Sequence, residues 1–374
     1  MTNRSILLTA LLPFLTVVTH AQEMSIYISD AGNFNLPPWQ ILKFDANGEN
    51  GEVFIDDHLD WPQDIVFLED QNVVLISNLK SGQILRFNAR TGDYIDVFAG
   101  SIGGPTRMKI GVDSLLYVLQ WTGNGNVWRY TLTGNFVDEF THVGIPASIG
   151  LDWDAAGNLY VSSYTGKYVQ KFSPTGEYVG KFISTNLAGP TNILFDDTGD
   201  LLVNDYNAGN VKRFDSSGNF KGVFISNVPK VEGVDFLPNG NVLLGVGGTS
   251  SVASYDASGN FLDTIVSTGS LDLKTPNAVV IRQNTTTAIP EIPTYIDANI
   301  VTPSFGTFFQ FTNEEINSFG SIAEVSNASG VIVRKINIAD STFINAFDLP
   351  DGIYFITMPL QNNSVARQKI MVQH

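Results

Sequence analysis

The chain is poor in the side chains that do covalent chemistry. Among 374 residues there is no cysteine, so no thiol nucleophile or disulfide is available. Between residues 23 and 283 the only histidines are His58 and His142, which form no metal-spaced pair and read as loop residues. No Gly-Xaa-Ser-Xaa-Gly elbow and no phosphate loop occurs. Asp152, Asp196 and Asp215 stand in turn contexts, where a carboxylate bonds its own backbone. What remains is non-covalent. Asp64, Arg107, Ser148, Asn192, Glu232 and Asn277 form one recurring polar set, and Asp30, Asn78, Gln120, Ser163 and Asp205 form another. Trp121, Tyr164 and Tyr206 directly follow three members of the second set. Polar groups beside aromatic rings can stack on a sugar or grip a peptide.

The elements that must position these residues are legible from a repeat. A β-branched residue, a spacer, usually a base and an aromatic recur as Ile41–Phe44, Ile84–Phe87, Val127–Tyr130, Val169–Phe172, Val211–Phe214 and Val252–Tyr255. The aromatics at 44, 87, 130, 172, 214 and 255 are 41 to 43 residues apart. Within one repeat, Thr191–Phe195, Leu201–Asn204, Val211–Phe214 and Phe220–Ile225 alternate with period two between turns rich in Gly, Asn, Asp and Ser. Four short strands per repeat predict the blade of a β-propeller, with six blades over residues 23–283. The first repeat lacks an inner strand, and Asn277–Ile281 is expected to supply it from the far end of the ring.

This topology brings both polar sets to one mouth of the central channel, because inner strands start and second strands end there. Trp39, in an eight-residue insertion with Pro37 and Pro38, and Trp61 are expected on the same face. Two readings stay open: a ligand surface, or the polar lining that a water-filled channel requires with aromatics packed between blades.

Segments such as Gly189-Pro190-Thr191-Asn192-Ile193-Leu194-Phe195-Asp196 and Gly199-Asp200-Leu201-Leu202-Val203-Asn204-Asp205 resemble NHL-type propeller repeats. The wider clan of similar six-bladed rings includes gluconolactonase-like, calcium-dependent lactonases. That resemblance implies a possible Ca2+ held near the channel mouth by Glu, Asn and Asp oxygens. The positions after the inner-strand prolines are Gln63, Thr106, Ala147, Thr191 and Asn277, with Glu232 in the repeat that lacks the proline. Only Glu232 and Asn277 are ligand-like there, and a one-residue shift of register brings in Asp64 and Asn192.

After Gln283 the texture changes. Residues 284–299 begin Thr- and Pro-rich and read as a linker. Residues 300–374 hold short alternating runs, Phe308–Phe311, Ser321–Val325, Val331–Ile336, Thr342–Phe347, Ile353–Met358 and Arg367–Val372, which predict a small Ig-like β-sandwich. Leu349-Pro350-Asp351-Gly352-Ile353-Tyr354-Phe355-Ile356, Arg367–Val372 and the turn at 327–330 resemble the C-terminal sorting domain of the Bacteroidetes type IX secretion system. The usual Tyr-Pro-Asn-Pro opening is replaced by Val301-Thr302-Pro303-Ser304. The resemblance implies the type IX machinery as a partner.

At the other end, Arg4, the apolar run Ile6–Val18 and Thr19-His20-Ala21 read as a signal peptide over residues 1–21. A formal net charge of −16 without a basic patch disfavours nucleic acid and anionic membranes. Together these features predict a secreted or outer-surface propeller that binds an extracellular glycan or protein. A divalent-metal-dependent hydrolase or lactonase at the same mouth is the alternative.

Overall fold

A computed structural model describes residues 24–34, 36–283, 294–312, 322–328, 331–338, 341–359 and 364–374. The segment read as a signal peptide lies outside them, as does most of the Thr- and Pro-rich stretch. The chain divides into two compact units, Met1–Asn284 and Thr285–His374.

The first unit is a β-propeller of six four-stranded antiparallel sheets. Blade 5 is representative, with strands Pro190–Phe195, Leu201–Asp205, Asn210–Phe214 and Phe220–Ile225. Each agrees with the sequence-based expectation to within one residue. The inner strands of the six blades are Pro276–Gln283, Pro62–Leu68, Pro105–Ile110, Ser148–Trp153, Pro190–Phe195 and Val231–Phe236. Each contacts the next, and the sixth contacts the first, so the ring is closed. The closing strand Pro276–Gln283 pairs antiparallel with Met24–Asp30, placing Ile281 opposite Ile26 and Val279 opposite Ile28. The expected clasp is therefore present without any disulfide.

Apolar side chains of neighbouring sheets meet between the blades and bury six separate cores. The repeated aromatic explains their regularity. Phe87 packs with blade 1, Tyr130 with blade 2, Phe172 with blade 3 and Phe214 with blade 4, each nearly or fully buried. Burying one such ring contributes about 2–3 kcal/mol by its apolar area. The base before it points elsewhere: Lys43, Arg86 and Arg129 reach Glu52, Asp96 and Asp138 on the adjacent fourth strand.

The glycine of the hairpin that follows is required by two constraints at once. Gly176 holds φ of 84°, and a Cβ there would lie 1.9 Å from the Phe140 carbonyl oxygen of the preceding blade. Gly218, at φ of 83°, has the same relation to Phe182. Glycine permits both the left-handed backbone and the close approach.

The second unit has a five-stranded sheet, with Thr294–Asp297 at one edge, and a three-stranded sheet of Val301–Thr302, Phe308–Phe311 and Phe343–Asn345. Val301, Phe309 and Ile344 of the smaller sheet share one core with Val325, Ile356 and Ile370 of the larger. This is a small β-sandwich. The stretch expected as linker to residue 299 contains a strand, because Thr294–Asp297 pairs in parallel with the C-terminal strand Ser364–Val372. A four-residue edge strand beside prolines carries little sequence signal of its own. Among the described residues no helix is long and apolar enough to cross a membrane.

Candidate binding site at the channel mouth

The residues that end the second strands act as pins. Asp30, Asn78, Gln120 and Asp205 lie opposite Pro276, Pro62, Pro105 and Pro190, and Ser163 lies opposite Ser148. All five are at most 1 % exposed. The Asp205 carboxylate accepts the N–H groups of Ala188 (2.9 Å) and Gly189 (2.7 Å) and the Lys212 ammonium (2.7 Å). Asp30 accepts the N–H groups of Gly32 (2.9 Å) and Thr275 (2.8 Å). Asn78 accepts from Asp60 N, Gln120 accepts from Gly103 N, and Ser163 donates to Pro146 O. Each side chain thus holds the loop that feeds its own inner strand. Their polar atoms are engaged, and none of the five lines the cavity described next.

The residue after each pin does face it. Ala31, Leu79, Trp121, Tyr164 and Tyr206 wall a cavity of about 220 Å3, joined by Phe34 and Trp61. Trp121 and Tyr164 have ring centroids 5.7 Å apart at 42°, Tyr164 and Tyr206 6.1 Å apart at 78°, and Phe34 and Trp61 5.9 Å apart at 63°. Gln63, Ile149, Thr191, Glu232 and Asn277 form the floor. Trp39 is not on the wall. Its indole N–H donates to Phe34 O at 2.8 Å, and Lys80 sits 5.3 Å from its ring centre, so it braces the Phe34 loop.

Blade 4 requires a correction of register. Aligning Pro146 with the other inner-strand prolines places Ala147 in the floor. The observed pairing of Ser148 with Ser163 makes Ser148 the counterpart of Pro62, Pro105 and Pro190. Ile149 is therefore the floor residue, and Pro146-Ala147 belongs to the entering loop. Local sequence does not mark this offset, since a proline before a strand is equally acceptable in either place.

Asp64, Arg107 and Asn192 lie one residue further along and line a second cavity of about 190 Å3 with Lys109 and Asp235. Successive residues of an ideal strand face opposite sides. Here the pairing shifts between Pro62 and Asp64, between Pro105 and Met108, and between Pro190 and Ile193. These bulges re-aim the chain, so neighbours such as Gln63 and Asp64 both reach the channel region.

Arg107 joins the two layers. Its Nε donates to Asn192 Oδ1 (2.9 Å), its Nη2 to Glu232 Oε1 (3.2 Å), and its guanidinium also donates to the backbone carbonyls of Gln63 and Asn277. One 5 % exposed side chain from blade 3 thereby touches blades 1, 2, 5 and 6. The planar fork of arginine suits such a set of diverging acceptors.

Burial raises the Glu232 carboxyl above its ordinary range, against the pull of Arg107, and the nearby Asp64 charge adds to the rise. Burial likewise raises Asp64, with Arg107 and the Met108 N–H opposing it. Tyr206 is pushed up to about 12 by burial, with Glu232 and Tyr164 contributing.

The hard-oxygen set inferred for calcium does not fit a metal. Asn192 Oδ1 and Glu232 Oε1 receive the guanidinium, and Asp64 accepts the Met108 N–H at 2.7 Å. Asn277 turns its backbone oxygen to Arg107 and donates its Nδ2 to Pro62 O at 2.9 Å. Its side-chain Oδ1 is buried without a partner. A dication placed among these oxygens would meet a positive charge already seated there. Among the described residues no group of three or more His, Cys, Asp or Glu could hold a metal ion.

The His58 ring stacks on Tyr94 with centroids 4.0 Å apart. Asp152, expected in a turn, lies instead in the inner strand Ser148–Trp153, where it accepts from Lys109 and the Phe195 N–H of the two neighbouring blades. Asp196 and Asp215 accept backbone N–H groups within their turns. Ala31, Phe34, Leu79 and Ile149 were not foreseen at the cavity. The signal that could have found Ala31 and Leu79 is their place directly after a pin.

No protein-family model matches the chain, and no curated protein matches it in sequence. Solved structures do resemble it. A nidogen/laminin complex matches at 14% identity and a TM-score of 0.58, covering 69% of this chain and 98% of that one. A protein of unknown function from Bacteroides caccae matches at 15% identity and 0.55, with the same coverage. A putative gluconolactonase matches at 13% identity and 0.51, covering 85% of this chain and 92% of its own. At such identities the likeness is one of fold, and the fold is the β-propeller.

Proposed function

We propose that this chain is an exported binding protein that takes an extracellular glycan or protein ligand at the channel-mouth cavity. The observation that carries this reading is the cavity itself. Aromatic side chains wall it, Glu232 offers a carboxylate from below, and the Arg107 guanidinium beside it is engaged by four oxygens. No described side chain there is placed as a nucleophile with a free base, which favours recognition over turnover. The metal-dependent hydrolase or lactonase reading loses support because its metal position coincides with the guanidinium. The occurrence of a similar fold in a nidogen/laminin complex fits a binding role. A glycan and peptide array probed with the protein tests the proposal. Hits should be lost in Trp121→Ala and Tyr206→Ala, and hits that survive both would place the ligand elsewhere.

The C-terminal unit fits the sorting-domain reading by its size, its two-sheet build and its terminal strand motif. On this proposal residues 1–21 direct export, and the C-terminal sandwich engages the type IX machinery to reach the outer surface or the medium. Deleting residues 294–374, which removes the added edge strand with the rest, should leave the propeller in the periplasm. Normal release of the truncated chain would refute the assignment.

A further inference from the structure

Resting on that binding reading, the cavity also carries an inference about which chemical group enters it. Its volume of about 220 Å3 is below the roughly 300–1,000 Å3 of sites that enclose a drug-sized molecule, so it suits one compact group. Five of its lining residues are aromatic: Phe34, Trp61, Trp121, Tyr164 and Tyr206. Neighbouring rings meet at 42°, 63° and 78° and share no common plane. A flat sugar ring stacks on a parallel face. Rings at several angles around a small space suit a rounded group better than a flat one, and a ring face turned to such a group attracts diffuse positive charge.

The floor agrees in sign. Glu232 places a carboxylate there, while the unpartnered Asn277 Oδ1 is shielded from the cavity. Arg107 does not make the floor electropositive, since both Glu232 and Asp64 act on it and its N–H groups are directed at Gln63, Asn192, Glu232 and Asn277. Phe34 and Trp61 each hold φ of 61°, a left-handed backbone unusual for bulky side chains. Strain of this kind concentrates where a fold holds groups for binding.

We propose that the cavity binds an alkylated ammonium group. The alkyl substituents lie against the aromatic rings, and the positive charge faces the Glu232 carboxylate. Such a group could arrive on a modified lysine, on an aminated sugar or as a free small cation.

The test is a tryptophan-fluorescence titration of the full chain with trimethylammonium, using tert-butanol as a neutral probe of similar bulk, one heavy atom larger. Saturable binding is expected, about tenfold or more weaker for tert-butanol, and lost in Tyr164→Leu and Trp121→Leu variants whose melting curves match the parent. Which array hits trimethylammonium displaces, methyl-lysine peptides or aminated glycans, then identifies the source. Equal affinity for both probes, or a flat response to trimethylammonium, overturns the inference. If array hits needing Trp121 resist trimethylammonium, the binding reading stands and the cation is wrong. Should hits be indifferent to Trp121 as well, both fall.

Discussion

The outer hairpins and the channel layer of the same six blades are built on opposite plans. After the repeated aromatic, Asp45, Asn88, Thr131, Ser173, Asp215 and Asp256 each accept backbone N–H groups of their own turn. The glycines that follow, at 48, 92, 134, 176, 218 and 259, all have φ between 75° and 96°. In the channel layer the equivalent positions hold Gln63, Thr106, Ile149, Thr191, Glu232 and Asn277, with almost no repetition. A hairpin is closed by its own residues, so every blade needs the same solution. The channel is shared, so one residue from each blade must complement five others. Repetition marks what each blade does alone, and its loss marks what the ring does together.

The largest test of this contrast is Arg107→Met. It leaves the Glu232 and Asp64 carboxyls without their cation, and removing one partner of a buried pair costs about 3–5 kcal/mol. The melting temperature should fall sharply, and adding Glu232→Gln should recover part of the loss. An unchanged melting curve would mean that the channel layer is not held by this residue.

Gly176→Ala comes next. It combines a left-handed backbone with a clash against the Phe140 carbonyl, and a loss of about 2 kcal/mol is expected by denaturant unfolding. If the repeated hairpin is a common device, Gly218→Ala should cost a similar amount.

The two regions should also differ in the sign of their pH dependence. At Asp154, in another blade turn, burial works to raise the carboxyl, but bonds from Asn158 and Tyr160 outweigh it and hold the group below 3.8. Its contribution, about 1 kcal/mol, is present above the unfolded value and lost as pH falls through the folded one. Relative to the parent, Asp154→Ala should therefore be most destabilised near neutrality and approach parity as pH falls through the folded value. Glu232 is raised, so its stabilising share is complete below the unfolded value and lost as pH rises through the folded one. Glu232→Gln should gain on the parent as pH rises. Parallel slopes for the two variants would break the comparison.

Calcium should have the smallest effect. With the guanidinium among the candidate ligands, no shift in melting temperature is expected between chelated and calcium-loaded samples. A real site at 100 times its Kd would add about 2.7 kcal/mol, which is readily seen.

Much of the architecture was legible because its determinants are local. Period-two strands, turn residues and the buried aromatic recur at nearly constant spacing, so four strands per blade and the closing strand near Asn277 follow from short-range rules. Most of the sandwich was equally readable from alternation, apart from the two-residue strand Val301–Thr302 and the edge strand Thr294–Asp297, whose pairing lies with residues about 70 positions away. Trp121, Tyr164 and Tyr206 were placed at the cavity because they sit one residue past a strand end in successive repeats. The pins beside them read as ligand residues, since sequence does not tell that Asp205 is engaged by Ala188, Gly189 and Lys212.

By itself, the sequence determined the repeat, the blade and the ring, because each rests on contacts within a few dozen residues. Only the tertiary structure decided the channel. Bulges at the starts of the inner strands set which of two neighbouring residues enters which layer, moving Asp64, Arg107 and Asn192 beneath Gln63, Glu232 and Asn277. Arg107 meets partners 44 to 170 residues away, and no local pattern encodes that meeting. Ring closure brings these groups together, and their mutual charge makes an arginine, where a metal had been inferred, the cation at the centre.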